Sequence, residues 1–259
     1  MNRSRRSYLT PVVVAMLAVA GCGRPHRSPA VPAVPPGSEA DGVAPPQATG
    51  VRLFGTQVEV SGRAVPGGAI RLATPGGQTI SSSVNQNGVW RVLIPAPSST
   101  MIFGLSELIA GRTIQSQGYI FVTGQGKAVV LRAGAGAITL SPPAGSTVAA
   151  FDVDRQGGAL VSGLGPPGGV VGAWIDGRKL AEGRVDPSGR FALSLSGPVS
   201  RGGHTLKVFG DSINETLRVD ATPAAALVDG PFRAISSGSG LRVDWMTPGG
   251  GVQTTLVLP

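Results

Sequence analysis

Residues 61–94 read SGRAVPGGAIRLATPGGQTISSSVNQNGVWRVLI. This stretch recurs 101 positions later, without a gap, as SGLGPPGGVVGAWIDGRKLAEGRVDPSGRFALSL over residues 162–195. Both copies have a Ser-Gly start, a Pro-Gly-Gly turn and a Gly two positions before an aromatic residue, which is Trp90 in the first copy and Phe191 in the second. In a chain of 259 residues, this repeat predicts two structural units of about 100 residues each.

Short runs of Val, Ile and Leu alternate with turn residues in each copy. In the first copy we predict strands over residues 51–60, 69–73, 78–84 and 89–94, separated by Pro-Gly-Gly and Asn-Gly turns. The 40 glycines and 22 prolines suit many tight turns, while 41% hydrophobic and only 14% charged residues argue against a disordered chain. The predicted fold class is therefore all-β, with two tandem β-sandwich units.

The second copy carries a longer pattern of turn and core residues. These are Gly163, Pro167, Gly168, Gly169, Asp176, Gly177, Val185, Asp186, Gly189, Phe191, Gly203, His204, Leu206 and Val208. The pattern resembles the bacterial Ig-like repeats of surface and periplasmic proteins, over about 60 residues in the second copy and about 35 in the first. The resemblance implies an Ig-like β-sandwich and no particular activity. The first copy departs from it after Ile94, so we expect an irregular segment over residues 98–109.

The N-terminus has the pattern of a secretory signal peptide. Three arginines precede an apolar run over residues 9–20, which is too short to span a bilayer. The sequence VAGC that ends at Cys22 resembles the lipobox of bacterial lipoproteins. The resemblance implies cleavage before Cys22 and lipid attachment to its thiol, and Gly23 in place of Asp implies the outer membrane. The alternative is a plain signal peptide with a chance cysteine, although Cys22 is the only cysteine in the chain.

The sequence thus divides into four segments. They are a lipoprotein signal peptide (1–21), a disordered tether rich in Pro and Ala (22–49), a first Ig-like unit (50–140) and a second Ig-like unit (141–259). A β-hairpin is predicted after each Ig-like core, within residues 112–131 and 233–258. The sequence leaves open whether each hairpin pairs with its own unit or with the other hairpin.

The charge of the chain argues against a nucleic-acid partner. The formal net charge is +8, and removal of the signal peptide leaves 19 basic and 14 acidic residues, or +5. The basic residues are scattered, and aromatic residues make up only 5% of the chain. A nucleic-acid groove needs a focused basic patch with stacking aromatics, so we expect none here.

No recognisable catalytic, cofactor or metal motif is present in the sequence. The two histidines, His26 and His204, lie far apart in the chain, and the lipobox uses the only cysteine. Asp152 and Asp154 resemble the start of a calcium loop, but Gly163 stands where such a loop has its glutamate. We therefore predict a non-enzyme without a metal or cofactor, and an enzyme of unrecognised type remains a minor alternative.

The predicted function is a lipid-anchored envelope protein that acts as a structural or protein-interaction scaffold. The alternative is a module that binds peptidoglycan or another carbohydrate. The expected partners are the membrane, through Cys22, and an envelope protein or a cell-wall polymer. The candidate contact residues are Tyr119, Trp174, Asp176, Arg178 and Trp245. For Tyr119 and Trp245, a place in the core is the simpler interpretation.

Overall fold

The computed structural model describes residues 42–141, 147–237 and 240–258. Residues from Gly42 onward form one compact unit, and every regular element in the described ranges is a β-strand. Cys22, the signal peptide and most of the predicted tether lie outside these ranges. The first strand begins at Gln47, so the last three residues of the predicted tether belong to a sheet. The described residues include no helix that is long and apolar enough to cross a membrane.

The first sandwich consists of two antiparallel sheets. Sheet I has the strand order β1-β2-β5, and sheet II has the order β4-β3-β6-β7-β8-β9. The strands are β1 (Gln47–Phe54), β2 (Gln57–Arg63), β3 (Ala69–Ala73), β4 (Thr79–Ser83), β5 (Val89–Pro95), β6 (Met101–Ile109), β7 (Arg112–Val122), β8 (Ala128–Leu131) and β9 (Ile138–Thr139). Their inward side chains form one apolar core.

The second sandwich repeats this arrangement and extends it at a different edge. Sheet III has the order β14-β11-β10-β19-β18-β17, and sheet IV has the order β13-β12-β15-β16. The strands are β10 (Val148–Asp154), β11 (Ala159–Leu164), β12 (Val170–Ile175), β13 (Arg178–Arg184), β14 (Arg190–Ser194), β15 (Gly203–Gly210), β16 (Ile213–Asp220), β17 (Phe232–Ser237), β18 (Gly240–Met246) and β19 (Val252–Val257). A second apolar core fills this sandwich.

The internal repeat extends further in the structure than in the sequence. Strands β6 and β7 lie 101 positions before β15 and β16 and pair in the same order. The prediction of an irregular segment over residues 98–109 is therefore wrong. The sequences differ there because Phe103, which is buried, takes the place of His204. A core position can hold either side chain if the polar groups that contact the histidine are also changed.

The strand predicted over residues 51–60 is also wrong as a single element. It is two strands, β1 and β2, that pair as a hairpin through Phe54 and Gln57. Gly55 adopts a positive φ of 58° in the turn, which glycine reaches without steric cost. The turn is Gly55-Thr56, which is not one of the Pro-Gly or Asn-Gly pairs that mark the other turns, so the turn residues alone did not separate the two strands.

The glycine at the start of each repeat makes room for the aromatic residue that the repeat shares. A Cβ atom at Gly62 would lie 2.5 Å from the Trp90 ring, and one at Gly163 would lie 2.5 Å from the Phe191 ring. Both rings are almost fully buried. The prediction that they are core residues is confirmed, and it explains why Gly and the aromatic residue recur together.

A third apolar cluster, here called the shared core, joins the two sandwiches. Its buried members are Ile102, Phe121, Val129, Leu131, Ala137, Ala150, Val243 and Trp245. Strand β8, the start of β6 and the end of β7 are consequently buried on both faces, one against the first core and one against β18. The sequence left open whether each predicted hairpin pairs with its own unit or with the other hairpin. In the structure, each hairpin is hydrogen-bonded into a sheet of its own sandwich, and the side chains of the two hairpins also pack against each other.

Candidate functional site

The outer surface of sheet IV carries exposed aromatic and cationic side chains. The core-facing residues of β12 and β15 alternate with outward ones, as expected for strands. Trp174 on β12 and Phe209 on β15 point outward, with ring centroids 6.5 Å apart and planes at 76°. Phe209 is 50% exposed. We call this surface, formed by Trp174, Phe209, Lys179 and Lys207, the aromatic face.

The register of sheet IV brings these four residues together. Trp174 is directly opposite Lys179 on one side and Lys207 on the other. The Lys179 Nζ lies 5.4 Å from the Trp174 ring centroid, and the Lys207 Nζ lies 5.3 Å from the Phe209 centroid. Both distances suit cation–π contacts. Lys179 also forms an ion pair with Glu182, which holds its ammonium group beside the indole.

A glycine supports the indole from below. The ring of Trp174 lies over Gly172 on the same strand, where a Cβ atom would come within 2.7 Å of the indole Cη2. Any side chain at this position would push the ring away from the sheet. Gly172 therefore lets the indole lie low on the surface of the sheet, where Trp174 is partly exposed.

Part of the outward surface of the first sandwich is covered by the chain itself. In sheet II, outward residues of β6 and β7 such as Ile102 and Phe121 are buried in the shared core against β18. This cover does not reach all of the sheet: Ala73 stands at the position of Trp174, and Leu108, at the position of Phe209, is 51% exposed. The outward surface of sheet IV has no cover of this kind in the described part of the chain.

Trp245 is not a surface contact residue, which corrects its selection as a candidate. It is fully buried in the shared core, and its indole Nε1 donates a hydrogen bond to the Thr255 hydroxyl over 3.0 Å. Tyr119 is half-buried beside it, with ring centroids 6.0 Å apart and planes at 81°. Because Trp245 is internal, it does not converge with Trp174 into the sugar site that was considered from the sequence.

Asp176 belongs to the turn between β12 and β13, and its carboxylate is engaged there. One oxygen accepts a hydrogen bond from the backbone of Thr205 at 2.9 Å, and the other lies 2.6 Å from Nδ1 of His204. The pKa of Asp176 is lowered, first by the bond with His204. Arg178 is exposed at the first position of β13. These two residues flank the aromatic face through the turn, and Asp176 serves the turn itself.

Asp152 and Asp154 are also engaged within the chain. Asp154 Oδ1 accepts hydrogen bonds from the backbones of Gln156 and Gly158, both at 2.8 Å. Asp152 is buried and accepts a hydrogen bond from the Thr255 hydroxyl. Burial raises the pKa of Asp152 to about 6, against the opposing effects of Thr255 and other donors. Among the described residues, no three His, Cys, Asp or Glu side chains are grouped so that they could hold a metal ion.

Comparison with known proteins gives distant structural neighbours. A scan against protein-family models finds no match, and a search of curated proteins finds none either. Among solved structures, the chain is similar to a "Biofilm associated protein - BSP domain", at 16% identity and a TM-score of 0.25, over 71% of this chain and 30% of that one. It is also similar to the "Central Fibronectin-III array of RIM-binding protein", at 14% identity and a TM-score of 0.25, over 84% of this chain and 90% of that one.

Sequence reasoning found Trp174 but missed the other three members of the aromatic face. A signal for two of them was present in β15, where Lys207 and Phe209 alternate with the core residues Leu206 and Val208. Period-two alternation places Lys207 and Phe209 on the opposite side from the core. An aromatic residue on the solvent side of a strand was therefore readable, but its proximity to Trp174 required the pairing of β12 with β15.

Proposed function

We propose that this protein is a non-enzymatic, lipid-anchored scaffold of a bacterial cell envelope that binds a partner protein through its aromatic face. The observation that carries this proposal is the contact of Trp174 with Phe209 on the outer surface of sheet IV, where Phe209 is half exposed and Trp174 is partly exposed. Large aromatic side chains at a protein surface are enriched at protein interfaces. Lys207 adds positive charge, while Lys179 is paired with Glu182, so the expected partner surface carries a carboxylate against Lys207.

The arrangement of the first sandwich supports a protein partner. There, the part of the outward face of sheet II that includes Ile102 and Phe121 is covered by β17 and β18, which bring Phe232 and Trp245 against it. The ring of Phe232 meets Phe121 edge-on at 5.7 Å. Aromatic residues on a pair of strands can thus pack against the outward face of a sheet in this protein. A partner protein that presents aromatic residues in a similar way would suit the outward face of sheet IV.

A carbohydrate ligand is the second candidate, and one observation favours it. The indole of Trp174 lies over Gly172 on the outer surface of the sheet and is partly exposed, and an accessible indole is the kind of platform on which a sugar ring stacks. Cell-wall glycan is the polymer that a lipid-anchored envelope protein meets. The two candidates use the same residues, so one set of variants tests both.

The test compares the wild-type chain with Trp174→Ala/Phe209→Ala in cells and with purified sacculi. Leu108→Ala is the matched control, because Leu108 is exposed at the position of Phe209 in the first repeat. We expect specific protein crosslinks that the double variant loses and the control keeps. Sedimentation with sacculi that the double variant loses, without protein crosslinks, would replace the protein partner by glycan. If the double variant behaves like the wild type in both assays, the aromatic face is not the binding surface.

The lipid anchor is tested separately at Cys22. The wild-type protein is expected in the membrane fraction, with an acylated N-terminal cysteine detected by mass spectrometry. Cys22→Ser removes the thiol that receives the lipid, so the protein should appear in the soluble fraction. A wild-type protein that is soluble, with an unmodified Cys22, would show that the segment is a plain signal peptide.

A further inference from the structure

A cleft of about 570 Å³ lies where the two sandwiches meet. One wall is the end of sheet III, where Val148, Gly163 and Phe191 stand side by side on β10, β11 and β14. The other wall comes from the first sandwich and includes the β7–β8 turn and β9. The volume is in the range of pockets that hold small molecules. This cleft is separate from the aromatic face and does not depend on the function proposed for it.

The charged side chains that line the cleft are all cationic in the described part of the chain. They are Lys127, Arg132 and Arg190. Arg132 donates hydrogen bonds from Nε to the Gly136 carbonyl at 2.9 Å and from Nη2 to the Ala135 carbonyl at 2.7 Å. These bonds fix the guanidinium group without neutralising it. The cleft therefore has a fixed positive group at its side, supplemented by two further cations.

The nearest carboxylates do not line the cleft and are engaged elsewhere. Asp186 accepts hydrogen bonds from the backbones of Ser188 and Arg190 in its own turn. Glu215 accepts hydrogen bonds from Thr147, and Asp152 is bonded to Thr255. Burial, and after it the charge of Arg190, lowers the pKa of Arg132, while the charges of Asp152 and Asp186 act in the opposite direction. The effect of Arg190 is that of a like charge among the residues that line the cleft.

The remaining lining is a mixture of apolar side chains and hydroxyl groups. The apolar part includes Val129, Ile138, Leu241 and Leu258. The hydroxyl-bearing residues include Thr100 and Thr139. Hydroxyl groups and cations suit the oxygens of an anionic group, while the apolar side chains suit a hydrocarbon body. Both kinds of surface belong to the same cleft.

We propose that this cleft binds a small amphiphilic anion. Its carboxylate or phosphate group lies against Lys127, Arg132 and Arg190, and its apolar body lies against the apolar side chains that line the cleft between the two sandwiches. An isolated inorganic anion would leave the apolar lining unused. A neutral or cationic amphiphile would leave the three cations without a partner. The ligand is therefore recognised by charge and hydrocarbon together.

Isothermal titration calorimetry with defined probes tests this proposal. The full chain with Cys22→Ser is titrated with dodecanoate and with dodecyl phosphate, below their micellar concentrations. Dodecyltrimethylammonium and inorganic phosphate serve as control ligands. We expect binding of one anionic amphiphile per chain, with the tighter of the two naming the head group. Inorganic phosphate and the cationic amphiphile should bind at least tenfold more weakly.

Two charge variants show whether the cleft is the site. Lys127→Gln/Arg190→Gln should weaken binding of the anionic probes at least tenfold. Arg52→Gln/Arg91→Gln removes the same charge from exposed positions on sheet I and should leave the affinity within twofold of the starting protein. The proposal is overturned if neither anionic probe binds, if the cationic probe or phosphate alone binds as tightly, or if the two double variants behave alike.

Discussion

At the scale of single residues, a buried chain of hydrogen bonds crosses the outer face of sheet III. The Trp245 indole donates to the Thr255 hydroxyl, and that hydroxyl donates to Asp152 Oδ1. All three residues are buried. Asp152 Oδ2 has no hydrogen-bond partner among the described residues. A carboxylate in this position is costly when charged, which is why burial raises the pKa of Asp152 to about 6.

Asp152→Asn should make the protein more stable at pH 7.5. The folded pKa is about 6 and the reference value is 3.8, so the folded state is penalised at pH values above 6. The penalty disappears as the pH falls from 6 to below 3.8. This difference between the folded and the reference pKa lowers the free energy of unfolding by at most about 3 kcal/mol. Urea denaturation at pH 7.5 and pH 4 measures the difference, which should be large at pH 7.5 and small at pH 4.

Asp229→Asn, in an exposed loop, is the matched control for this substitution. It removes the same charge and should leave the free energy of unfolding unchanged at both pH values. If Asp152→Asn is less stable than the wild type at pH 7.5, then the bonds that the carboxylate accepts outweigh the cost of its burial.

A second feature at the scale of residues is that two hydrogen-bonded residues of the first repeat, Glu107 and Val65, are both replaced in the second repeat. Glu107 is fully buried, and its Oε1 accepts a hydrogen bond from the backbone N–H of Val65 at 3.0 Å. The equivalent pair in the second repeat is Val208 and Pro166. Proline has no backbone N–H, so the second repeat needs no acceptor there and places an apolar residue instead. The two repeats thus differ together at the donor and acceptor of this hydrogen bond, although Glu107 Oε2 itself has no hydrogen-bond partner among the described residues.

At the scale of elements, the β12–β13 turn is held by a histidine from a neighbouring strand. Asp176 and Gly177 both adopt positive φ, at 49° and 84°, as a two-residue hairpin turn requires. His204 on β15 contacts Asp176 through Nδ1 at 2.6 Å and the Ser200 carbonyl through Nε2 at 2.9 Å. Both partners are acceptors, so the protonated imidazole satisfies both. The bond to Asp176 accordingly raises the pKa of His204.

His204→Phe should remove part of the pH dependence of stability. A raised folded pKa means that His204 stabilises the fold below its ordinary pKa of 6.5. This stabilisation is lost as the pH rises through the higher folded value. We expect the wild type to lose more stability between pH 5 and pH 8.5 than the variant does. The histidine NMR signal measures the pKa directly, because the only other histidine, His26, is in the predicted tether.

The choice of phenylalanine makes this variant informative about folding. Phe103 occupies the equivalent buried position in the first repeat, so the side chain is compatible with the sandwich. A variant that folds and keeps the full pH dependence would show that the titration of His204 is not coupled to stability.

At the scale of the whole molecule, the shared core makes the two sandwiches one body. Strands β17 to β19 extend sheet III of the second sandwich and at the same time cover sheet II of the first. Trp245 is the largest side chain in this cluster and is fully buried. The orientation of one sandwich relative to the other is therefore held by side-chain packing as well as by the connecting chain. For a scaffold, this fixes the direction in which the aromatic face points.

Trp245→Ala should destabilise the protein and separate the unfolding of the two sandwiches. Loss of a buried tryptophan costs about 3–5 kcal/mol, and here the loss falls on the contact between sandwiches that retain their own cores. Scanning calorimetry is expected to show one transition for the wild type and two for the variant. Trp174→Ala is the matched control, because this tryptophan lies on the outer face of sheet IV, and it should keep the single transition.

A single transition in Trp245→Ala, at the wild-type temperature, would mean that Trp245 does not contribute to the coupling of the sandwiches. Two transitions in the wild type would mean that the shared core does not couple them, and the first and second cores would then be the units of stability.

The sequence by itself determined the all-β class, the repeat and the position of most turns. These features are local, because a Pro-Gly-Gly or Asn-Gly turn and period-two alternation act over a few residues. Residues 69–73, predicted as a strand, are β3 with the same bounds. The recurrence of Gly with Trp90 and Phe191 likewise indicated core positions, since each repeat must fill the same space.

Only the tertiary structure decided which outer faces are covered. Alternation shows that a strand has two sides, but it does not show what packs against the second one. Trp245 and Phe209 are both aromatic residues on the outward side of a strand, yet Trp245 is fully buried and Phe209 is half exposed. The difference arises because β18 meets sheet II, more than 100 positions earlier in the chain, while the outer face of sheet IV meets no strand among the described residues. Contacts between such distant segments depend on how whole sheets pack, and no short window of sequence contains that information.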